Sequence, residues 1–156
     1  MASNFKQGWA EVGGKRYWFR SGFEVRWAEY LEFLKQAGEI VDWSYEPRKF
    51  EFEKIRSGTV FYTPDFLVLY GHEAEDGGMD RTHYWHETKG HLKQKDVTKF
   101  KRMEKYYPDE KIILVMQNIP KEVTRKNIEK FRRMENADKY VERVMDGGKV
   151  LKQVGL

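Results

Sequence analysis

The chain has 156 residues, enough for one domain with a sizeable core, and its 15 % aromatic and 35 % charged residues mark it as globular rather than disordered. The absence of cysteine excludes disulfides, thiolate catalysis and Cys-based zinc sites; no apolar run approaches a membrane span and the start lacks a signal pattern, so a cytoplasmic protein with no membrane partner is expected. The net charge of +4 is uneven: residues 71–80 hold Glu73, Glu75, Asp76 and Asp80 without Lys or Arg, a balance of −4 that leaves +8 on the rest and suits a polyanionic partner.

Met1 to Gly14 reads as a loose leader, part of a leader segment over 1–18, with Gly13-Gly14 a turn before Lys15-Arg16-Tyr17-Trp18-Phe19. From Ser21 to Gln36 the spacing of Phe23, Trp27, Tyr30, Leu31 and Leu34 predicts a helix, which Gly38 ends. Ser21 and Glu24 form a Ser-x-x-Glu capping box, in which the Glu24 carboxylate reaches back to the Ser21 amide. A rival reading stands Glu24 in the first helical turn beside the sheet as an acid of a metal site. The residues leave these two readings even.

Glu39 to Phe52 predicts two short strands around Pro47, with Val41, Trp43 and Tyr45 on one side. Arg56-Ser57-Gly58 turns the chain into a strand over Val60–Tyr70. Gly71 to His83 reads as a long, solvated acidic loop, and Tyr84 to Lys89 as a second strand, antiparallel to the first. Leu92 to Tyr107 places Val97, Phe100, Met103 and Tyr107 at helical spacing, and Pro108 stops that helix. Lys111 to Met116 is continuously apolar after its first residue, the pattern of a strand buried on both faces. Strand, helix and buried strand make a crossover unit, so the Tyr84–Lys89 strand is expected to run parallel to it. The tail reads as a basic helix from Pro120 through Ile128, Phe131 and Met134. Val141–Met145 and Lys149–Val154 then flank Asp146-Gly147-Gly148 as a small hairpin. The expected organisation is a core over 19–118 and a basic tail over 119–156.

The chemistry concentrates in Thr63-Pro64-Asp65-Phe66 and His86-Glu87-Thr88-Lys89-Gly90. Side chains alternate along a strand, so Asp65 shares a face with Leu67 and Leu69, and Glu87 and Lys89 share one with Trp85. Antiparallel pairing then converges two carboxylates and an ammonium on one spot. Hard oxygen ligands from one or two carboxylates suit Mg²⁺, with the Thr88 carbonyl as a further ligand and Lys89 beside the attacked phosphate or the attacking water. A Pro-Asp turn and a same-face Glu-x-Lys ion pair are the bland alternatives. Both motifs close apolar runs that would otherwise bury the charges, which favours a site.

Three weaker constellations complete the reading. His83, His86 and His91 read as surface imidazoles rather than zinc ligands; Trp9, Trp18, Trp27, Trp43 and Trp85 read as core rather than a base-stacking platform; no Walker or Rossmann glycine loop is present. The basic side chains suited to phosphate contact are Arg20, Lys93, Lys95, Lys99, Lys101 and Arg102, with Arg125, Lys126, Arg132 and Arg133 in the tail.

Phe19-Arg20-Ser21-Gly22-Phe23-Glu24, Tyr62-Thr63-Pro64-Asp65-Phe66-Leu67 and Glu87-Thr88-Lys89-Gly90, in that order, resemble the phage endonuclease I group of Holliday-junction-resolving enzymes, within the PD-(D/E)xK (restriction-endonuclease-like) nuclease superfamily. The likeness spans about Phe19 to Val115. It implies an α/β fold, a restriction-endonuclease-like mixed central sheet flanked by helices. It also implies a homodimer that cuts the backbone of branched DNA with Mg²⁺, for which Mn²⁺ substitutes. Glu24, Asp65 and Glu87 would be metal ligands and Lys89 would assist the nucleophile, which tilts Glu24 toward catalysis. The same motifs occur in transposon-end endonucleases and small phage nucleases. A non-catalytic DNA-binding module that keeps the fold is the rival from another class.

Overall fold

The computed structural model describes residues 5–156. In chain order its elements are β1 (Gly8–Val12), β2 (Lys15–Phe19), α1 (Gly22–Gln36), β3 (Asp42–Tyr45), β4 (Phe50–Glu51), β5 (Phe61–Tyr62), β6 (Phe66–Glu73), β7 (Met79–Lys89), α2 (Gln94–Tyr106), β8 (Ile112–Met116), α3 (Ile128–Asp138), β9 (Arg143–Asp146) and α4 (Gly147–Gln153). A five-stranded mixed sheet in the order β3-β6-β7-β8-β9 organises the fold. The first two pairings are antiparallel and the last two parallel. The crossover through α2 therefore joins parallel neighbours, as the sequence predicts.

Two apolar layers cover the sheet. On one face, Phe23, Val25, Trp27 and Leu31 of α1 pack with Leu151 of α4 against Phe66, Val68, Ile113 and Val115. On the other, Val97, Phe100 and Met103 of α2 and Met134 and Ala137 of α3 pack against Trp85, Ile112, Leu114 and Met116. β8 feeds both layers, and all five of its residues are buried. Each such side chain contributes about 2 kcal/mol of hydrophobic stabilisation. No helix among the described residues is long and apolar enough to cross a membrane.

The helix termini follow the sequence logic closely. Ser21 caps α1, its Oγ accepting from the Glu24 amide at 3.1 Å. At the other end Gly38 takes φ +78° and the Glu39 amide returns to the Leu34 carbonyl.

Five segments depart from expectation. Within the described part of the leader, Gly8–Val12 pairs with β2 in a hairpin closed by Gly13 and Gly14, both at positive φ as a tight two-residue turn requires. Residues 1–4 lie outside the described residues. The acidic loop is mostly strand: β6 runs to Glu73, β7 begins at Met79, and only residues 74–78 turn. Its tip is exposed and polar on both faces, so no alternation betrays the pairing. The strand expected over Val60–Tyr70 breaks at Thr63-Pro64 into β5 and β6.

The tail hairpin does not form. β9 joins the main sheet beside β8, which builds the C-terminal segment into the same core, and α4 follows directly. Asp146 caps α4 through Oδ1, which accepts from the Lys149 amide at 2.9 Å. Gly147 and Gly148 serve close packing rather than a turn. A Cβ on Gly147 would lie 2.4 Å from Val115 Cγ1, and one on Gly148 2.0 Å from the Gln117 carbonyl oxygen. The basic helix of the tail begins at Ile128 rather than near Pro120, after a turn in which Asn127 Oδ1 accepts from the Thr124 amide.

Candidate active site

The register of the β6–β7 hairpin builds the centre of the site. Phe66 lies opposite His86, so Asp65, one step before β6, faces Glu87. The Asp65 amide donates to Glu87 Oε2 at 3.1 Å, and Tyr62 Oη donates to the same oxygen at 2.8 Å. Asp65 Oδ2 accepts from both the amide and the hydroxyl of Thr88, at 2.8 and 2.7 Å. Asp65, Glu87 and Thr88 are all buried, as is Glu24 in the first turn of α1. These bonds fix both carboxylates in place without neutralising them.

Burial pushes the Asp65 pKa well above its usual range, and the nearby Glu87 and Glu24 charges add to the shift. Burial also raises Glu87, against the opposing pull of Lys89 and the Tyr62 hydrogen bond. The pair is therefore charge-frustrated and would be relieved by a cation. Lys89 lies 3.4 Å from Glu87 Oε1 and 3.1 Å from Asp96 Oδ1. Burial works against its charge, but Glu87, Asp96 and Asp65 outweigh that and raise its pKa. Lys89 is thus a firmly protonated ammonium, suited to stabilising negative charge and unsuited to acting as a base.

Glu24 is held differently from the capping-box expectation. Its Oε2 accepts from the Arg20 amide at 2.9 Å, not from Ser21, and from Tyr45 Oη at 2.8 Å. The carboxylate is thereby aimed toward the β3 and β6 strands, and its field reaches Asp65. Glu24 is both an end-of-helix acceptor and a neighbour of the acidic pair.

Several participants carried no sequence signal strong enough to single them out. Tyr62 reads as a core aromatic and is buried, yet it orients Glu87. Asp96 is buried in the first turn of α2, where Oδ2 accepts from the Lys93 amide while Oδ1 holds Lys89. In the sequence it is one acid among lysines near the start of the expected helix, with no Ser, Thr, Asp or Asn before it to mark a cap. Glu46 is the only non-glycine at positive φ among the described residues, at +48°, and its amide donates to the Asp65 carbonyl at 2.7 Å. Its Oε1 lies 2.7 Å from Arg20 Nη2, which makes Arg20 an ion-pair partner at the rim of the site.

The expected phosphate-contact residues divide. Lys99 lies inside the site, its ammonium 5.6 Å from the centre of the Tyr62 ring, and burial lowers its pKa against the pull of Glu87. Lys93, Lys95, Lys101, Arg125 and Lys126 are exposed. Arg102 is occupied by the Thr59 carbonyl, Arg133 by the Leu92 carbonyl and Arg132 by Glu129.

Two aromatic and imidazole expectations are corrected. His86 is buried rather than on the surface, between Trp27 and Tyr70, whereas His83, paired with Glu110, and His91 are exposed as expected. Trp9 and Trp18 are 58 % and 48 % exposed, a cross-strand edge-to-face pair on the outer face of the β1–β2 hairpin rather than core.

Among the described residues no group of three or more His, Asp or Glu side chains is placed to hold a metal ion together. Asp65 and Glu87 stand together, with the field of Glu24 reaching Asp65. Comparison of the chain with protein-family models, with curated proteins and with solved structures finds no match.

Proposed function

We propose that this chain is a metal-dependent endonuclease that hydrolyses phosphodiester bonds in DNA, built on a restriction-endonuclease-like fold. The observation that carries the reading is the burial of Asp65 and Glu87 side by side with a protonated Lys89 against them. Structural acids are ordinarily exposed or fully matched by cations; a buried pair whose charged form is disfavoured marks a site.

The donor set fits Mg²⁺ or Mn²⁺. These ions take one or two carboxylates and complete their shells with water and substrate phosphate, so Asp65 and Glu87 suffice for one ion, with Glu24 and the Thr88 carbonyl as the further proposed ligands. When bound, the ion would polarise the phosphate and activate water as the nucleophile. The protein's own groups do the rest. Thr88 and Tyr62 hold the two carboxylates in fixed orientations. Lys89, kept charged by Glu87 and Asp96, stabilises the negative charge that grows on the phosphate oxygens as water attacks.

The four-way junction is the proposed substrate on the strength of the three ordered motifs, with a homodimer placing one site on each of two opposed strands. Supercoiled plasmid and a synthetic junction, each incubated with and without Mg²⁺ or Mn²⁺ beside light scattering of the protein, test the proposal. Metal-dependent paired cuts at the junction by a dimer are expected. Equal nicking of both substrates by a monomer would reduce the reading to a general nuclease. Binding without cleavage in every metal would replace it with a DNA-binding module.

A further inference from the structure

The carboxyl ends of β8 and β9 open into a cavity of about 640 Å³ that the nuclease chemistry above does not use. Four cations line it: Arg26 from α1, Lys121 from the connection after β8, and Lys149 and Lys152 from α4. Among the described residues none of them pairs with a carboxylate. The one acidic side chain in the lining, Asp146, is spent on backbone groups, accepting from the Lys149 amide at 2.9 Å and the Ile119 amide at 3.3 Å. The cavity therefore presents a net positive wall.

Its position is set by the packing that excluded a hairpin here. Gly147 and Gly148 let α4 approach the end of β8 so closely that no side chain fits between them. The same approach brings Lys149 and Lys152 to the mouth of the parallel strands, where crossover folds place ligands. The cavity also adjoins the acidic centre. The backbone N–H of Gln117, in its lining, donates to the Lys89 carbonyl at 2.8 Å.

We propose that this crevice seats the phosphates of double-stranded DNA next to the bond that is cut, with Arg26, Lys121, Lys149 and Lys152 as the contacts. The proposal rests on the endonuclease reading and assigns its DNA-binding surface. Charge is the argument for this occupant. Among the described residues none of the crevice cations meets a carboxylate, and of the four only Arg26 is held at all, by the Gly22 carbonyl at 3.4 Å, whereas on α3 Arg132 is paired with Glu129 and Arg133 is held by the Leu92 carbonyl. Contacts of this kind hold the backbone in register and read no bases. They leave Asp65, Glu87 and Lys89 to act on a phosphate delivered to them.

The test compares two triple variants of the full chain, Lys121→Ala/Lys149→Ala/Lys152→Ala and Arg125→Ala/Lys126→Ala/Arg132→Ala. Binding of a labelled duplex is followed by fluorescence anisotropy in EDTA across a salt series, so that no cleavage intervenes. Thermal melting confirms that both variants fold; the three crevice lysines are exposed, so little change is expected. The crevice triple should lose at least about tenfold in affinity and flatten the slope of log K against log salt by roughly 2.7, or ~0.9 for each lost phosphate contact. The second triple, in the turn before α3 and on its first turns, should lose less of both. Wild-type affinity and slope in the crevice triple, or equal losses in the two triples, would overturn the crevice assignment while wild-type binding leaves the nuclease reading standing. Failure of the wild-type protein to bind either the duplex or a labelled four-way junction would overturn both.

Discussion

His86 and Glu87 are neighbours on β7, point to opposite faces of the same sheet and are each 4 % exposed, yet the protein treats them in opposite ways. Trp27 Nε1 donates to His86 Nδ1 at 3.1 Å, so the ring carries its proton on Nε2 and donates that to Tyr70 Oη at 2.9 Å. Burial pushes the His86 pKa down to about 3, and the ring is a neutral, doubly satisfied part of the core. Glu87 also has partners in Tyr62, Asp65 and Lys89, but its charged form stays disfavoured beside a second buried carboxylate. Burial of a polar group therefore does not distinguish structure from function here. The distinction lies in whether the protein alone satisfies the group.

The largest test of that contrast is Asp65→Asn, which keeps the volume and the acceptor for Thr88 but removes a charge. Cleavage of plasmid in Mg²⁺ should fall by about 10³-fold or more. A wild-type rate would remove Asp65 from the chemistry.

The opposite behaviour is expected at His86. His86→Ala deletes two buried hydrogen bonds and leaves a cavity, a loss of about 3 kcal/mol that lowers Tm by roughly 6–12 °C. Cleavage per folded molecule, measured well below Tm, should stay within about threefold of wild type by the same separation of stability from chemistry. A selective loss of rate would mean that the two faces of β7 are not independent.

Glu24→Gln sharpens the middle case. Glutamine still accepts from the Arg20 amide and Tyr45, so stability should hardly move. If Glu24 serves a cation, cleavage falls by about 10²-fold. Wild-type activity would return it to a purely structural role. Among the variants expected to slow cleavage, the smallest loss is expected for Lys99→Met, which removes the cation over the Tyr62 ring. A drop of about tenfold in kcat with little change in KM for DNA is anticipated; a change confined to KM would make Lys99 a contact for the DNA backbone.

Much of this was legible in the residues. The strand ends carrying Asp65 and Glu87 were marked by apolar runs stopped at charged residues, and the parallel crossover by a helix between two strands. Ser21 and Gly38 announced both ends of α1. What stayed hidden depended on contacts between distant residues. Tyr62 looks like any core aromatic until the bend at Thr63-Pro64 turns its hydroxyl onto Glu87. Gly147-Gly148 looks like a turn, because only the position of β8 reveals that a Cβ has no room there. The polar ribbon around residue 76 hides its pairing because neither face is buried. Trp9 and Trp18 break the rule that large aromatics belong to the core by covering each other instead.

The central claim is that Asp65 and Glu87 are held against desolvation for the sake of a cation, and thermal stability measures it directly. A carboxyl whose folded pKa is raised binds its proton more tightly in the folded state. Its contribution is therefore full below the unfolded value, taken as the ordinary 3.8 for Asp65, and is lost as pH rises through the raised folded value. Melting the wild-type protein and Asp65→Asn at pH 5 and pH 8, with and without Mn²⁺, should give three results together. Metal-free wild type loses stability toward pH 8; Asp65→Asn melts higher than wild type there, at about 2–4 °C for each kcal/mol of relieved burial; and Mn²⁺ raises the wild-type Tm at pH 8 but not that of the variant. A wild-type Tm indifferent to Mn²⁺ at pH 8, with Asp65→Asn no more stable than wild type, would contradict the account.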